Sequence, residues 1–240
     1  MNNILLKIIE KKREDLNTHI NTFLSPREGE IRIIAEIKLA SPTEPYLGSE
    51  KDVVKRAIAY EKAGASALSV ITEKYYFKGK IDFITLLKQK VSLPILQKDF
   101  VIDPYQIYEA KIYGSSALLL IARLVDKKRL KQFVSLSKKI GIEPVVEIND
   151  EKDLQKALST DATYIAVNAR DLTTFIVDID RACRLMKKIP ATFIKLGFSG
   201  IHSVNEVKKY KNAGAQIVLV GTSLMKAKNI KEFISKLKQI

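Results

Sequence analysis

Eight short apolar runs, each followed by a stretch of different periodicity, leave this chain very few folds to choose from. The runs are IRIIAEI (31–37), ALSVIT (67–72), LPIL (93–96), ALLLIA (117–122), EPVVEI (143–148), YIAVN (164–168), TFIKLG (192–197) and QIVLVG (216–221). Most are continuous rather than alternating, as expected of parallel strands covered on both faces. Between them lie segments of helical period such as EKDVVKRAIAYEKAG, DPYQIYEAKIYG, KKRLKQFVSLSKKIG and SVNEVKKYKNAG. Gly64, Gly114, Gly141 and Gly214 stand where such helices would end, the position glycine favours because it tolerates a left-handed backbone. Three of them recur in the phrases AGASA, YGSSA and AGAQI, each leading into a strand, a weak repeat of one βα unit. Strands alternating with helices make either a closed barrel or a doubly wound open sheet. The first run is followed by AEIKLASP's polar end rather than a glycine-rich dinucleotide turn, and a count of eight favours the barrel. The predicted fold is a single α/β (βα)8 TIM barrel over residues 31–240. Residues 1–30 are expected to form an extra N-terminal helix and connection packed on it, with Pro26 and Gly29 breaking the chain before the first strand.

Composition narrows the function classes. A length of 240 residues is enough to bury one sizeable core, and no apolar run approaches the roughly 18 residues that would span a bilayer. The opening MNNILLKIIEKKREDL intersperses Leu5, Ile8, Ile9 and Leu16 with charges, an amphipathic pattern rather than a signal peptide. Cys183 is the only cysteine, so neither an internal disulfide nor a cysteine metal cage is available, and a cytoplasmic location follows by default. The two histidines, His19 and His202, have no partner at ligand spacing; both are read as surface or capping residues, and no metal is expected. The formal charge of +14 comes largely from lysines opposite apolar stripes on helical segments, which are solvated faces first of all. No zinc-finger spacing, RNP-like aromatic motif or Arg-rich block favours nucleic acid. The charge suits a small anionic metabolite as partner, with neither nucleic acid nor membrane, and the chain is expected to act as a monomer.

Polar residues gather where the strands end: Glu36 and Lys38 at the first, Glu73 at the second, Lys98 and Asp99 at the third and Arg123 at the fourth. Glu147 and Asn149 close the fifth, Asn168 and Arg170 the sixth, Ser199 and Gly200 the seventh, Gly221 and Thr222 the eighth. In a barrel these ends converge on one mouth, where active sites are built. Asp99, Asp103, Asn149, Asp150 and Ser203 are accounted for equally well as helix caps. Lysine carries the wrong charge for a helix N-terminus, which singles out Lys38 and Lys98. A lysine sheltered in the mouth loses hydration of its charged form, which readies it as a general acid or Schiff-base nucleophile; the alternative is an ion pair with Glu36, Glu147 or Asp99. FSGIHS and VGTSLM place glycines and hydroxyls after the last two strands, where barrels commonly cradle phosphate.

In order along the chain, AEIKLASP, LSVITEKYYFKG, LPILQKDFVIDPYQIYEA, ALLLIA, VVEINDEKDL, NARDLTTFIVD, FSGI and VLVGTSLM resemble the motifs of indole-3-glycerol-phosphate synthases, from about residue 32 to 226. The resemblance implies a lyase of tryptophan biosynthesis. Its reaction is a cofactor-free ring closure, decarboxylation and dehydration of 1-(2-carboxyphenylamino)-1-deoxyribulose 5-phosphate. Lys98 then corresponds to the general acid and Glu147 to the base of the dehydration. Glu36, Lys38 and Asn168 correspond to residues that hold the substrate and the catalytic lysine. Ser41, Ser199, Gly200, Gly221 and Thr222 match the phosphate site. Phe77, Phe100 and Leu119 match apolar walls of the pocket, and Arg170 a supporting residue.

Two departures stand out. Phe198 precedes Ser199-Gly200-Ile201 where the family has a glutamate, so a ring takes the place of a carboxylate in the pocket. In the first loop, Leu39 occupies a position that is usually basic, and Glu44 in SPTEPYLG brings a negative charge towards an anionic substrate. The alternatives are another phosphosugar barrel enzyme, either an isomerase or a Schiff-base aldolase on Lys98, and an inactive anion-binding barrel. Isomerase chemistry of the phosphoribosylanthranilate type would want a cysteine near the first strand, whereas Cys183 lies in the helical run RACRLMKKI and is read as core.

Overall fold

The computed structural model describes residues 23–240; of the N-terminal helix and connection expected over residues 1–30, residues 1–22 lie outside them. Eight strands form one closed parallel barrel in sequence order, β1 to β8, with β8 pairing back onto β1. They are β1 (Arg32–Ile37), β2 (Ala67–Ile71), β3 (Ile95–Lys98), β4 (Ala117–Ile121), β5 (Glu143–Ile148), β6 (Tyr164–Asn168), β7 (Ile194–Phe198) and β8 (Ile217–Val220). The helices that return the chain are α1 (Val53–Lys62), α2 (Asp82–Lys88), α3 (Pro104–Tyr113), α4 (Lys127–Lys139), α5 (Glu151–Leu158), α6 (Ile179–Lys187) and α7 (Val204–Asn212). A one-turn α8 (Thr222–Lys226) and a closing α9 (Ile230–Leu237) follow β8. The four glycines read as helix stops all have positive φ, from 73° to 99°.

Two strands begin two residues later than their apolar letters suggest. The third starts at Ile95 rather than Leu93 and runs on through Gln97 and Lys98. Pro94 has no N–H for the ladder and instead offers its carbonyl to the Leu68 amide at 3.0 Å, so regular pairing starts one residue later, with Leu68 opposite Ile95. The seventh starts at Ile194, because Phe193 is still turned back onto the Pro190 carbonyl, and it ends on Phe198. Both shifts move a residue of chemical interest from the loop into the strand.

Alternation of side chains then divides every strand between two cores. Outward residues such as Ile33, Ala35 and Ile37 of β1, or Val146 and Ile148 of β5, pack under the helices. Inward residues such as Ile34, Leu96, Leu119, Val145, Ala166, Leu196 and Leu219 fill the barrel. At the N-terminal end of the barrel Phe23 packs edge-on against Tyr164, with ring centres 6.1 Å apart. The Leu24 amide donates to the Tyr164 hydroxyl at 3.1 Å, and that hydroxyl donates on to the Leu24 carbonyl at 3.2 Å. Burial pushes the Tyr164 phenol up to about 12. With this end filled by apolar and aromatic side chains, the other end is left for chemistry.

Candidate active site

The inward alternation that buries Val145 and Ala166 carries, one step further along each strand, Glu147 and Asn168. The same arithmetic aims Glu36 of β1, Lys98 of β3 and Phe198 of β7 at the C-terminal mouth. These five line a cavity of about 760 Å³, together with Lys38, Ser41, Ser199, Gly200, Gly221 and Thr222 from the adjoining loops. Phe77, Phe100 and Arg170 also line it.

Leu119 does not. It is fully buried in the inner cluster and sits in register with Val145, one layer below Glu147; the residue level with Glu147 is Ile121, which does line the cavity. The expectation that Leu119 forms a pocket wall is therefore corrected: two residues along a strand keep the face but change the layer. Leu119→Ala is expected to lower unfolding free energy by about 2–5 kcal/mol through the cavity it leaves. Chemical denaturation would show this, while KM for substrate stays within about twofold, since no wall atom of the pocket is removed.

Lys98 and Glu147 form the centre of the site. The Lys98 ammonium lies 3.8 Å from Glu147 Oε2, and the side chains are 21% and 3% exposed. Asn168 Nδ2 donates to the other oxygen, Glu147 Oε1, at 3.0 Å, whereas Oε2 is buried without a hydrogen-bond donor. A carboxylate oxygen shielded from water and left open is a ready proton acceptor. The ammonium also lies 5.9 Å from the centre of the Phe198 ring, within range of a cation–π attraction. Phe198 is buried, so its ring presents an apolar, π-bearing face to the lysine on that side.

A second lysine–carboxylate pair stands at β1. Lys38 Nζ lies 3.2 Å from Glu36 Oε1 and donates to Thr222 Oγ1 at 3.1 Å. Gly221 leaves room for this pair: a Cβ on it would sit 2.3 Å from Glu36 Oε1, so the carboxylate would have to move. In the first loop the Ser41 and Glu44 backbones pair with each other at 2.8 and 3.0 Å, and the Glu44 carboxylate is met by Lys226 of α8. The negative charge anticipated near the substrate is thus countered within the chain. Leu39 is buried in the outer core, where its side chain packs instead of serving the pocket.

The walls are held by polar scaffolding, only part of which is legible in the order of residues. Glu73 accepts from the amides of Tyr75, Tyr76 and Phe77 at 2.7, 2.8 and 3.0 Å, which folds the loop carrying Phe77 to the mouth. The Phe77 and Phe100 rings lie 6.3 Å apart across one side of the cavity. Asp103, Asp150 and Ser203 do cap α3, α5 and α7. Asp99 and Asn149 do not cap helices: Asp99 accepts from the Thr72 hydroxyl and the Phe100 amide. Asn149 donates to the Asn168 and Arg170 carbonyls at 2.8 and 3.1 Å and accepts from Arg123 at 3.1 Å.

Arg123 continues to the carboxylates of Asp150, Asp153 and Asp171. Burial pushes the Asp153 carboxyl up from its ordinary range. The amides of Thr174 and Thr173 hold that of Asp171 down, with smaller help from Arg123. Arg170 donates to the Phe175 carbonyl at 3.0 Å, closing the β6–α6 loop over the cavity. Arg181, unnoticed in the sequence, donates to the carbonyls of Asn149, Asn168 and Ala169 and so ties β5 to β6 behind the Glu147–Asn168 pair. Its signal was available: an arginine in the first turn of α6 is as ill-suited to that helix end as the lysines already singled out. Cys183 packs half-buried against the outer core, as read from its helix. His202, set aside as a surface or capping residue, is exposed but lines the cavity.

Comparison with known proteins places this geometry. The family model described as "Indole-3-glycerol phosphate synthase" matches residues 5–237. A relative of that name from Aliarcobacter butzleri is 39% identical over 233 residues, covering 97% of this chain and 88% of the relative. Another, from Caldanaerobacter subterraneus subsp. tengcongensis, is 41% identical over 238 residues, covering 98% and 90%. A solved structure of 3-hexulose-6-phosphate synthase superposes with a TM-score of 0.69 at 13% identity, over 86% of this chain and 98% of that one, which is a likeness of fold alone. With a family match spanning nearly its whole length and relatives at this identity over nine-tenths of theirs, the chain belongs to the indole-3-glycerol phosphate synthase family.

Proposed function

We propose that the cavity converts 1-(2-carboxyphenylamino)-1-deoxyribulose 5-phosphate to indole-3-glycerol phosphate, carbon dioxide and water. The single observation that carries this reading is the pair of half-buried Lys98 and buried Glu147, a proton donor and an open acceptor 3.8 Å apart in a cavity with an aromatic side. The ring carbon that bears the carboxylate attacks the sugar ketone, and Lys98 delivers a proton to the oxygen as its charge grows. A cation already in place at that oxygen lowers the barrier because nothing need reorganise. Loss of carbon dioxide restores the aromatic ring. The new hydroxyl then leaves as water with a second proton, supplied by Lys38 or by Lys98 once solvent has recharged it, while Glu147 takes the ring proton whose departure completes the indole.

Glu36 and Lys38 hold the sugar, and Asn168 orients Glu147 through the 3.0 Å hydrogen bond to Oε1. Phe77, Phe100 and Phe198 supply apolar surface for the aryl ring, and Arg170 braces the loop beside them. Ser41, Ser199, Gly200, Gly221 and Thr222 take the phosphate, with Lys38 as the nearest cation linked to Thr222. The reaction balances in atoms and electrons without an external oxidant or reductant, which supports a cofactor-free enzyme. The polar mouth with its lysines and hydroxyls supports one small anionic substrate as partner. Among the described residues no helix is long and apolar enough to cross a membrane. The test is direct: purified protein given the ribulose phosphate should develop indole fluorescence and release one carbon dioxide per indole. Borohydride trapping of substrate on Lys98 would instead identify an aldolase.

A further inference from the structure

We propose that His202 is a binding residue for the phosphate end of the substrate, acting through Nε2. The proposal rests on the reading above that the β7–β8 side of the cavity receives the phosphate. His202 follows Gly200 and Ile201 in the turn after β7 and lines the cavity beside Gly200, Thr222 and Ser223. Its Nδ1 lies 3.1 Å from Ser223 Oγ, and Ser223 Oγ donates to the Ile201 carbonyl at 2.6 Å. A hydroxyl has one hydrogen. With that hydrogen committed to Ile201, Ser223 can only accept from the ring, so Nδ1 carries a proton.

That hydrogen bond assigns the two ring nitrogens different duties. Nδ1 clips the turn after β7 to the start of α8, the two segments that frame the phosphate end. Nε2 is left to face solvent or ligand, as an acceptor in the neutral ring and a donor once the ring is protonated. Donation from Nε2 to a phosphate uses the doubly protonated ring, and that hydrogen bond is charge-assisted. The backbone under the ring is fixed from two sides. Glu206 of α7 accepts from the His202 and Ser203 amides at 3.3 and 2.6 Å. Gly200, at φ 79°, packs so closely on Val177 and Ile179 that a Cβ would fall within 2.8 and 2.9 Å of them. Those carboxylate contacts go to main-chain amides, so Glu206 acts as a brace for the turn.

Two substitutions separate the duties. His202→Asn places an amide where Nδ1 was, keeping the clip and removing Nε2. His202→Gln reaches the Nε2 position with a neutral donor. Asn is expected to raise KM for the ribulose phosphate by about tenfold with kcat within about twofold, and Gln by a smaller factor. Competitive inhibition by inorganic phosphate should weaken in the same order. The chain has two histidines, so the His202 imidazole resonances can be identified by their loss in the Asn variant, and adding inorganic phosphate to unsubstituted protein should shift them. Unchanged KM and phosphate inhibition in His202→Asn, or resonances indifferent to phosphate, would overturn the proposal. A phosphate-induced shift in a protein without synthase turnover would leave the phosphate contact standing and remove the synthase reading instead.

Discussion

Lys98→Ala is expected to lower kcat by about 10³-fold, within the range for loss of a positioned general acid that also stabilises developing charge. The ammonium is 21% exposed on its side chain and faces one carboxylate oxygen and one aromatic ring, and among the described residues it is the one cation within 4.0 Å of the Glu147 carboxylate. A factor of 10³ corresponds to about 4 kcal/mol of transition-state stabilisation. Lys98→Arg keeps the positive charge but holds its proton far more firmly, and it should recover little of the lost rate. Both variants are expected to fold. The pair is longer than a hydrogen bond at 3.8 Å, so its loss leaves Glu147 with the Asn168 hydrogen bond intact and a thermal transition only a few degrees lower. Steady-state indole fluorescence with circular dichroism on the same samples measures both. Near-normal kcat in Lys98→Ala would remove the lysine from its assigned role.

Glu147→Gln is expected to lower kcat by about 10²- to 10³-fold and to change what accumulates. Gln can still accept from Asn168 through its oxygen, so the side chain stays in place. Its nitrogen then occupies the position of Oε2, the buried oxygen left open in the structure, and a donor replaces the acceptor there. Ring closure by Lys98 can proceed, but the proton whose loss completes the indole has no base. Rapid quenching and mass spectrometry should therefore find a species heavier than the product by one water, with carbon dioxide already released. If the variant instead stalls on unreacted substrate, Glu147 acts before dehydration and its role must be reassigned.

Much of this site was legible in the order of residues. Lys98 and Lys38 were conspicuous because a cation after a strand contradicts the dipole of the helix that follows, and both line the cavity. Glu147 and Asn168 were visible as polar ends of apolar strands, yet nothing local said that they would meet 3.0 Å apart. Leu119 shows where linear reading fails: it has the chemistry and the face of a pocket residue, but the register with Val145 puts it a layer too deep. Asp99 and Asn149 show the converse. Each looks like a helix cap in sequence, and each is drawn instead into bonds with neighbouring strands, since parallel pairing brings Thr72, Asn168 and Arg170 within reach. His202 was set aside for want of a partner at ligand spacing, and its partner Ser223 lies on the segment after the next strand.

By itself the sequence determined the eightfold alternation, the helix stops at four glycines and the residue types available at each strand end. These depend on local periodicity and on backbone preferences that span a few residues. Only the tertiary structure decided which strand ends share a layer, that the Phe198 ring and the Glu147 carboxylate both face the Lys98 ammonium, and that Lys226 pairs with Glu44 beside the first loop. The physical reason is closure. A barrel fixes the stagger between neighbouring strands only when the last pairs with the first, and that stagger sets the depth at which each inward side chain stands.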